Sequence, residues 1–452
     1  MPVRLEKPQP YKARPAEEKE DGKENQIEKH GSERQEAELQ MAGSIFGTIL
    51  MMTTWGESHG PAVGVTVDGC PAGIALCEED IQAYLDRRKP GQSRYSTKRN
   101  ESDRVEILSG IFEGRTTGTP ISMMVRNQDQ RSRDYGEIAS CYRPGHADYT
   151  FDAKYGFRDY RGGGRSSGRE TIGRTAAGAV AAKILGELGI SVKAYTRQIG
   201  PVSISPERFC LEDREKNRLY MPDQEAAREA EQFLEEKMAQ KNSAGGIVEC
   251  VISGVPAGVG EPVFEKLSAN LAKAVCSIGA VKGFEIGDGF AAAASTGAEN
   301  NDAFRVLREK EIWAEEIREE GPQEEEILDR EILREESQKA AERRKACPEE
   351  MRGGKRIVKA TNHAGGILGG ISDGSDIVFR AAFKPTPSIA SPQQTVNRDG
   401  EEIEISIKGR HDPIIVPRAV VVVEAMAAFT VADMMLCGMG ARMDRVKEFY
   451  AR

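Results

Sequence analysis

Short apolar runs bounded by turn residues dominate the chain from Ser44 to about Asp302, and Val63-Gly64-Val65-Thr66-Val67 has the pattern of a strand. Helical patterning marks three other stretches. Thr171 to Leu188 is rich in Ala, carries Ile172, Val180, Ile184, Leu185 and Leu188, and stops at Gly189. Pro417 to Leu436 opens with Pro at a first-turn position and continues through Glu424-Ala425-Met426-Ala427-Ala428. Residues 223–241 form a weaker third helix. No repeat of 20–50 residues interrupts this mixture of strands and helices.

Two stretches break the pattern. Residues 1–40 hold 8 basic and 10 acidic side chains and few apolar ones, so they are expected to be disordered. They lack the apolar centre of a secretory signal and are too acidic for a mitochondrial transit peptide. The folded part is expected over residues 41–452, and Met41 is a candidate initiator. Residues 305–352 carry 11 basic and 16 acidic groups. Trp313/Ile317 and Leu328/Ile332 are i,i+4 apolar pairs separated by Gly321-Pro322, the pattern of a charged helical hairpin inserted at about 303–352.

The formal net charge of the 452 residues is −9, which disfavours a basic nucleic-acid binder. No apolar run approaches the ~20 residues needed to span a bilayer, so no membrane association is expected. The eight cysteines are scattered singly without a Cys-x-x-Cys pair, which argues against zinc ribbons and disulfide frameworks. Reduced thiols, a cytoplasmic location and no metal follow as expectations.

Candidate chemistry begins at Gly56-Glu57-Ser58-His59-Gly60, where a histidine lies on tightly turned backbone and can exchange a proton near neutrality. Arg143-Pro144-Gly145-His146-Ala147-Asp148-Tyr149 sets a second histidine in a turn. A turn or capping role is the alternative for each. Between Asp86 and Glu170 there are 14 Arg and 3 Lys against 12 acidic residues, an arginine bias that suits a small polyanion held by planar donor forks. Ordinary ion pairs would give the same count. Asp159 to Glu170 joins glycines, Ser166, Ser167, Arg165 and Arg169 to the start of a helix, a candidate phosphate cradle or a flexible loop capped at its helix, and neither a Walker loop nor a dinucleotide fingerprint. Lys384-Pro385-Thr386-Pro387-Ser388 is a second phosphate candidate or a rigid turn. Gly409-Arg410-His411-Asp412-Pro413 places a cation, an imidazole and a carboxylate together, although Asp412 also suits a helix N-terminus. His30 and His363 have no supporting context and are taken as structural or exposed.

Six of these segments in this order resemble chorismate synthase: Gly56–Gly60, Asp86–Gly91, Arg143–Tyr149, Arg161–Glu170, Lys384–Ser388 and Gly409–Pro413. The resemblance implies an α+β fold, a β-α-β sandwich of antiparallel sheets and helices assembled as a homotetramer. It also implies conversion of 5-enolpyruvylshikimate 3-phosphate to chorismate by 1,4-elimination of phosphate, with reduced FMN and no net redox change. By resemblance His59 is the proton donor to the leaving phosphate, His146 keeps the reduced flavin protonated, and Asp412 assists acceptance of the ring proton. The flavin would contact Arg165, Ser166, Ser167, Gly279, Ala280, Gly369, Lys384, Pro385, Thr386, Pro387, Ser388 and Arg410. Arg88 and Arg94 match positions tied to NADP or substrate, with NADPH a possible reductant. Asn242 stands where the family commonly has Asp, residues 303–352 considerably enlarge a connection that is short in the family, and residues 1–40 have no family counterpart. A flavin-dependent oxidoreductase acting on a phosphorylated anion is the alternative enzyme. An RNA-binding protein is a further one, disfavoured because the arginine-rich window lacks interleaved aromatic signatures.

Overall fold

The computed structural model describes residues 43–97, 101–128, 139–308, 355–407 and 412–451. The 1–40 extension and nearly all of the expected helical insertion lie outside these residues. A first sheet begins with the meander β1 (Ile45–Phe46), β2 (Met51–Gly56) and β3 (Ala62–Asp68). After α1 (Glu78–Arg88) come β4 (Val105–Ile107), the small hairpin β5 (Ile111–Phe112) and β6 (Arg115–Thr116), and β7 (Ile121–Arg126). Its strand order is β1-β2-β3-β7-β4, antiparallel throughout. Strand periodicity buries Val63, Val65 and Val67 of β3 with Ile121, Met123 and Val125 of β7.

α2 (Asp148–Tyr155) and α3 (Thr171–Glu187) precede β8 (Ser191–Ile199), β9 (Val202–Ser203), α4 (Gln224–Ala239), β10 (Gly246–Ser253), α5 (Leu267–Cys276), β11 (Val281–Ile286) and the single turn α6 (Gly297–Asn300). Two hairpins, β12 (Phe304–Arg308) with β13 (Lys355–Lys359) and β14 (Ile367–Leu368) with β15 (Ile371–Ser372), lead to β16 (Ile377–Phe383). The hairpin β17 (Gln393–Val396) and β18 (Glu402–Ile405) then leads to α7 (Val416–Cys437) and α8 (Met443–Tyr450). The second sheet runs β11-β16-β10-β8-β9, also antiparallel.

Helices fill the space between the sheets. α3 packs on β3, α7 packs on β8 and β10, and the two helices pack on each other. This is the α+β sandwich expected from the resemblance. α7 buries 17 of its 22 residues, as a helix apolar on every side must. By length and composition Val416–Gly440 is apolar enough to cross a membrane, but 83% of its most apolar window is buried inside the protein. Gly178 of α3 lets the two helix backbones meet, because a Cβ there would stand 2.2 Å from the Cβ of Ala425. At the stem of the insertion, the buried Lys359 ammonium sits 3.2 Å from Asp302 and 2.8 Å from Asp373, fixing the β12–β13 hairpin to the sandwich.

Candidate active site

β2 ends at Gly56 with φ +81°, where a Cβ would strike the Ala62 carbonyl oxygen at 2.2 Å, so the sharp turn into the His59 loop requires glycine. Asn127 closes that loop by donating from Nδ2 to the carbonyls of Glu57 (2.9 Å) and Gly60 (2.8 Å). His59 Nδ1 lies 3.1 Å from Ser58 Oγ. Gly162 backs the ring: with φ +96°, its missing Cβ would stand 2.5 Å from both Cε1 and Nδ1 of His59. Arg165 clamps the same corner, donating to the carbonyls of Gly56 (3.0 Å) and Thr54 (3.1 Å). Its guanidinium therefore binds protein backbone. Ser166 donates to the Gly163 carbonyl (2.7 Å), while Ser167 Oγ accepts from the Arg169 amide (3.3 Å).

The second histidine is held by a buried ion pair. Arg143 donates in a fork to Asp148 through Nε and Nη2, both at 2.7 Å, and closes its own turn with a backbone donation at 3.0 Å. Burial opposes ionisation of Asp148, but the Arg143 guanidinium outweighs it and holds the carboxyl below the usual range. Arg143 Nη2 also reaches the carbonyl of Gly162 at 3.3 Å. The residue backing His59 is thus tied to the turn carrying His146.

His146 bridges further. Its Nδ1 lies 3.0 Å from the Pro144 carbonyl, an acceptor only, so Nδ1 carries the proton. Nε2 is then the acceptor for Ser388 Oγ at 2.8 Å. Burial, followed by the positive charge of Arg143, pulls the imidazole down to about 4, so it is neutral at pH 7. Lys384 Nζ donates to the Gly145 carbonyl at 2.8 Å, and Gly145 packs so closely on Pro387 that its own Cβ would lie 2.8 Å from that ring.

Lys384–Ser388 also meets the Gly279-Ala280 turn. The Lys384 amide donates to the Ala280 carbonyl at 2.9 Å, and Ala280 takes φ +73°. At Gly279 a Cβ would meet nothing within 4 Å. The Thr386 carbonyl accepts from Ser243 (2.7 Å), while Thr386 Oγ1 is buried without a hydrogen-bond partner among the described residues. A cation, an orphaned hydroxyl, an imidazole and open space over glycine fit an anionic, phosphate-bearing group such as FMN. Gly369 does not join this set. Its neighbour Gly370 accepts from Leu267 at the start of α5, whereas Gly279 follows the other end of that ten-residue helix, about 15 Å away. Arg410 lies outside the described residues.

Asp412 spends both oxygens locally, on the Thr97 amide (2.8 Å) and on Arg418 Nη1 (2.7 Å). Arg418 in turn donates to the Arg88 carbonyl at 3.0 Å. The expectation that Arg88 faces NADP or substrate needs correction. Its side chain is 1% exposed and is spent on Asp103 (2.7 Å), Thr171 Oγ1 (3.0 Å) and the Gly168 carbonyl (2.9 Å). Burial lowers it to about 9, with Asp103 opposing, so it remains a cation and a structural one. Arg169 joins it on Asp103 at 3.0 Å and donates to Asn127 (2.8 Å), linking this network to the His59 loop. Arg94 is exposed beside Tyr95 and Glu235. His363, expected to be structural, pairs with Asp288 at 2.6 Å. Sequence reasoning missed Gly162, Asn127 and Arg418; only Gly162, inside a glycine run, carried any signal.

Comparison with known proteins agrees with this geometry. The chorismate synthase family model matches residues 50–436. A chorismate synthase of Agathobacter rectalis is 59% identical over 412 residues, covering 91% of this chain and 100% of that protein. One from Lachnospira eligens is 58% identical with the same coverage, and one from Paramagnetospirillum magneticum is 49% identical over 88% of this chain and 98% of its own. A crystal structure of chorismate synthase superposes with a TM-score of 0.62 at 28% identity, covering 90% of this chain and 97% of that one. The chain belongs to the chorismate synthase family of carbon–oxygen lyases.

Proposed function

We propose that the protein eliminates phosphate from 5-enolpyruvylshikimate 3-phosphate in a 1,4 sense to give chorismate, with reduced FMN bound and no net redox change. The observation that carries this reading is the unbroken chain of contacts from His59 through Gly162 and Arg143 to His146, Ser388 and Lys384.

Reduced FMN, when bound, would supply electron density for the loss of phosphate without being consumed. His59 donates a proton to the departing phosphate, a general-acid contribution of ~10²–10⁴-fold. His146 presents Nε2 beside Ser388 and takes up a proton when an anion arrives, offsetting the Arg143 charge that disfavours its cation. Asp412 assists removal of the ring proton once one of its two bonds, to Thr97 or Arg418, is released. Lys384, Thr386 and Ser388 would hold the flavin with Gly279 and Ala280. Arg165, Ser166 and Ser167 shape the loop over the His59 corner, and Arg410 completes the flavin set. Of the two arginines matched to NADP or substrate, exposed Arg94 is the one open to a ligand. We further assign the protein to the cytoplasm as a homotetramer, with NADPH as the candidate reductant.

The test is anaerobic turnover with FMN and either dithionite or NADPH. Chorismate and phosphate should appear in equal amounts with flavin in catalytic quantity. Consumption of reduced flavin mole for mole with substrate would favour a net oxidoreductase instead.

A further inference from the structure

Lys282 stands beside the Lys384–Ser388 segment and the mechanism above does not use it. β11 pairs with β16 through Val281↔Phe383 and then Gly283↔Ala382, so Lys282 is the extra residue of a β-bulge. Bulges re-aim side chains and recur next to functional sites. Lys282 is exposed, and among the described residues it has no hydrogen-bond or ion-pair partner. Val281 pairs with Phe383 and the Lys384 amide donates to the Ala280 carbonyl at 2.9 Å, so Lys282 stands on the strand neighbouring Lys384, and its charge, after burial, lowers the Lys384 pKa. Close by are the Thr386 Oγ1, buried and without a partner among the described residues, and the open space over Gly279. Two like charges on neighbouring segments, next to a buried hydroxyl left unpaired, favour an anion that joins them.

We propose that Lys282 is a further binding residue of this site, forming with Lys384 and Thr386 a seat for a phosphate monoester dianion. The inference rests on the proposed function, in which both the flavin and the substrate carry such a group. Lys282 acts as a point charge at the mouth, and Thr386 supplies a hydroxyl donor within.

The experiment compares full-length wild type with Lys282→Gln and Lys282→Arg. FMN and riboflavin affinities are read by flavin fluorescence, and KM for 5-enolpyruvylshikimate 3-phosphate is read by anaerobic turnover. If the seat takes the flavin phosphate, Lys282→Gln weakens FMN ~10- to 100-fold and leaves riboflavin unchanged. If it takes the substrate phosphate, KM rises by that factor while FMN affinity holds. Lys282→Arg retains binding in either case. Lys282→Gln within twofold of wild type on both measures overturns the proposal, as does equal weakening of FMN and riboflavin. Wild-type turnover reports on the underlying function, and the variant-to-wild-type ratio reports on Lys282 alone.

Discussion

Ser388 donates its hydroxyl proton to Nε2 of His146 at 2.8 Å, joining segments 242 positions apart. With Nδ1 committed to the Pro144 carbonyl at 3.0 Å, this bond completes the definition of the imidazole's tautomer. Ring orientation, tautomer and position are therefore set before any ligand arrives.

Replacing Ser388 with Ala removes the donor and leaves Nε2 half-buried without a partner. Stability should fall by about 1 kcal/mol, and turnover about tenfold as the ring loses its fixed orientation. Urea unfolding and kcat measured side by side check both.

His146 should also make stability sensitive to acid. Its folded pKa of about 4 lies below the ordinary 6.5, so between these values the unfolded chain binds more protons than the folded one. The contribution is fully present above pH 6.5 and is lost as pH falls from there toward 4, up to about 3 kcal/mol. His146→Gln should remove that part of the acid destabilisation, seen as a smaller change in unfolding free energy between pH 7 and pH 4.

Gly162 is the contact surface of the His59 ring. A methyl at this position would stand 2.5 Å from two ring atoms on backbone at φ +96°. Gly162→Ala should displace the imidazole and lower kcat about 100-fold, since misplacement of ~1 Å can cost that much. An unchanged kcat would separate Gly162 from the catalytic geometry.

Arg88 and Arg94 should behave oppositely. Arg88→Met leaves Asp103 buried with reduced compensation and should cost about 3–5 kcal/mol. Arg94→Ala should leave stability essentially unchanged, because its pair with Glu235 is 62% and 50% exposed. Thermal unfolding of both variants tests this, and an Arg94→Ala effect confined to the KM for NADPH or substrate would mark it as the ligand-facing arginine.

Elements whose residues repeat a simple period were legible in the sequence. The helix expected from Thr171 is α3, the one expected from Pro417 is α7, and residues 223–241 contain α4 capped by Asp223. Strand β3 contains the Val63–Val67 run. The arginine-rich window was harder, because composition cannot separate an arginine that waits for an anion from one already satisfied. Arg88, Arg143, Arg158 and Arg169 all proved to be buried or nearly so against Asp103, Asp148 and Asp152. The histidines stood out by their glycine neighbours, but their connection through Gly162 and Arg143 depends on tertiary contacts. Lys282 was invisible because a bulge is a property of strand register, which no local pattern encodes.

The most direct measurement is anaerobic turnover by His59→Ala and His146→Ala with reduced FMN, alongside circular dichroism to follow the fold. Both variants should keep wild-type secondary structure, and each should lose at least about 100-fold in chorismate formation. Near-normal rates in both would contradict a shared site built around these two imidazoles.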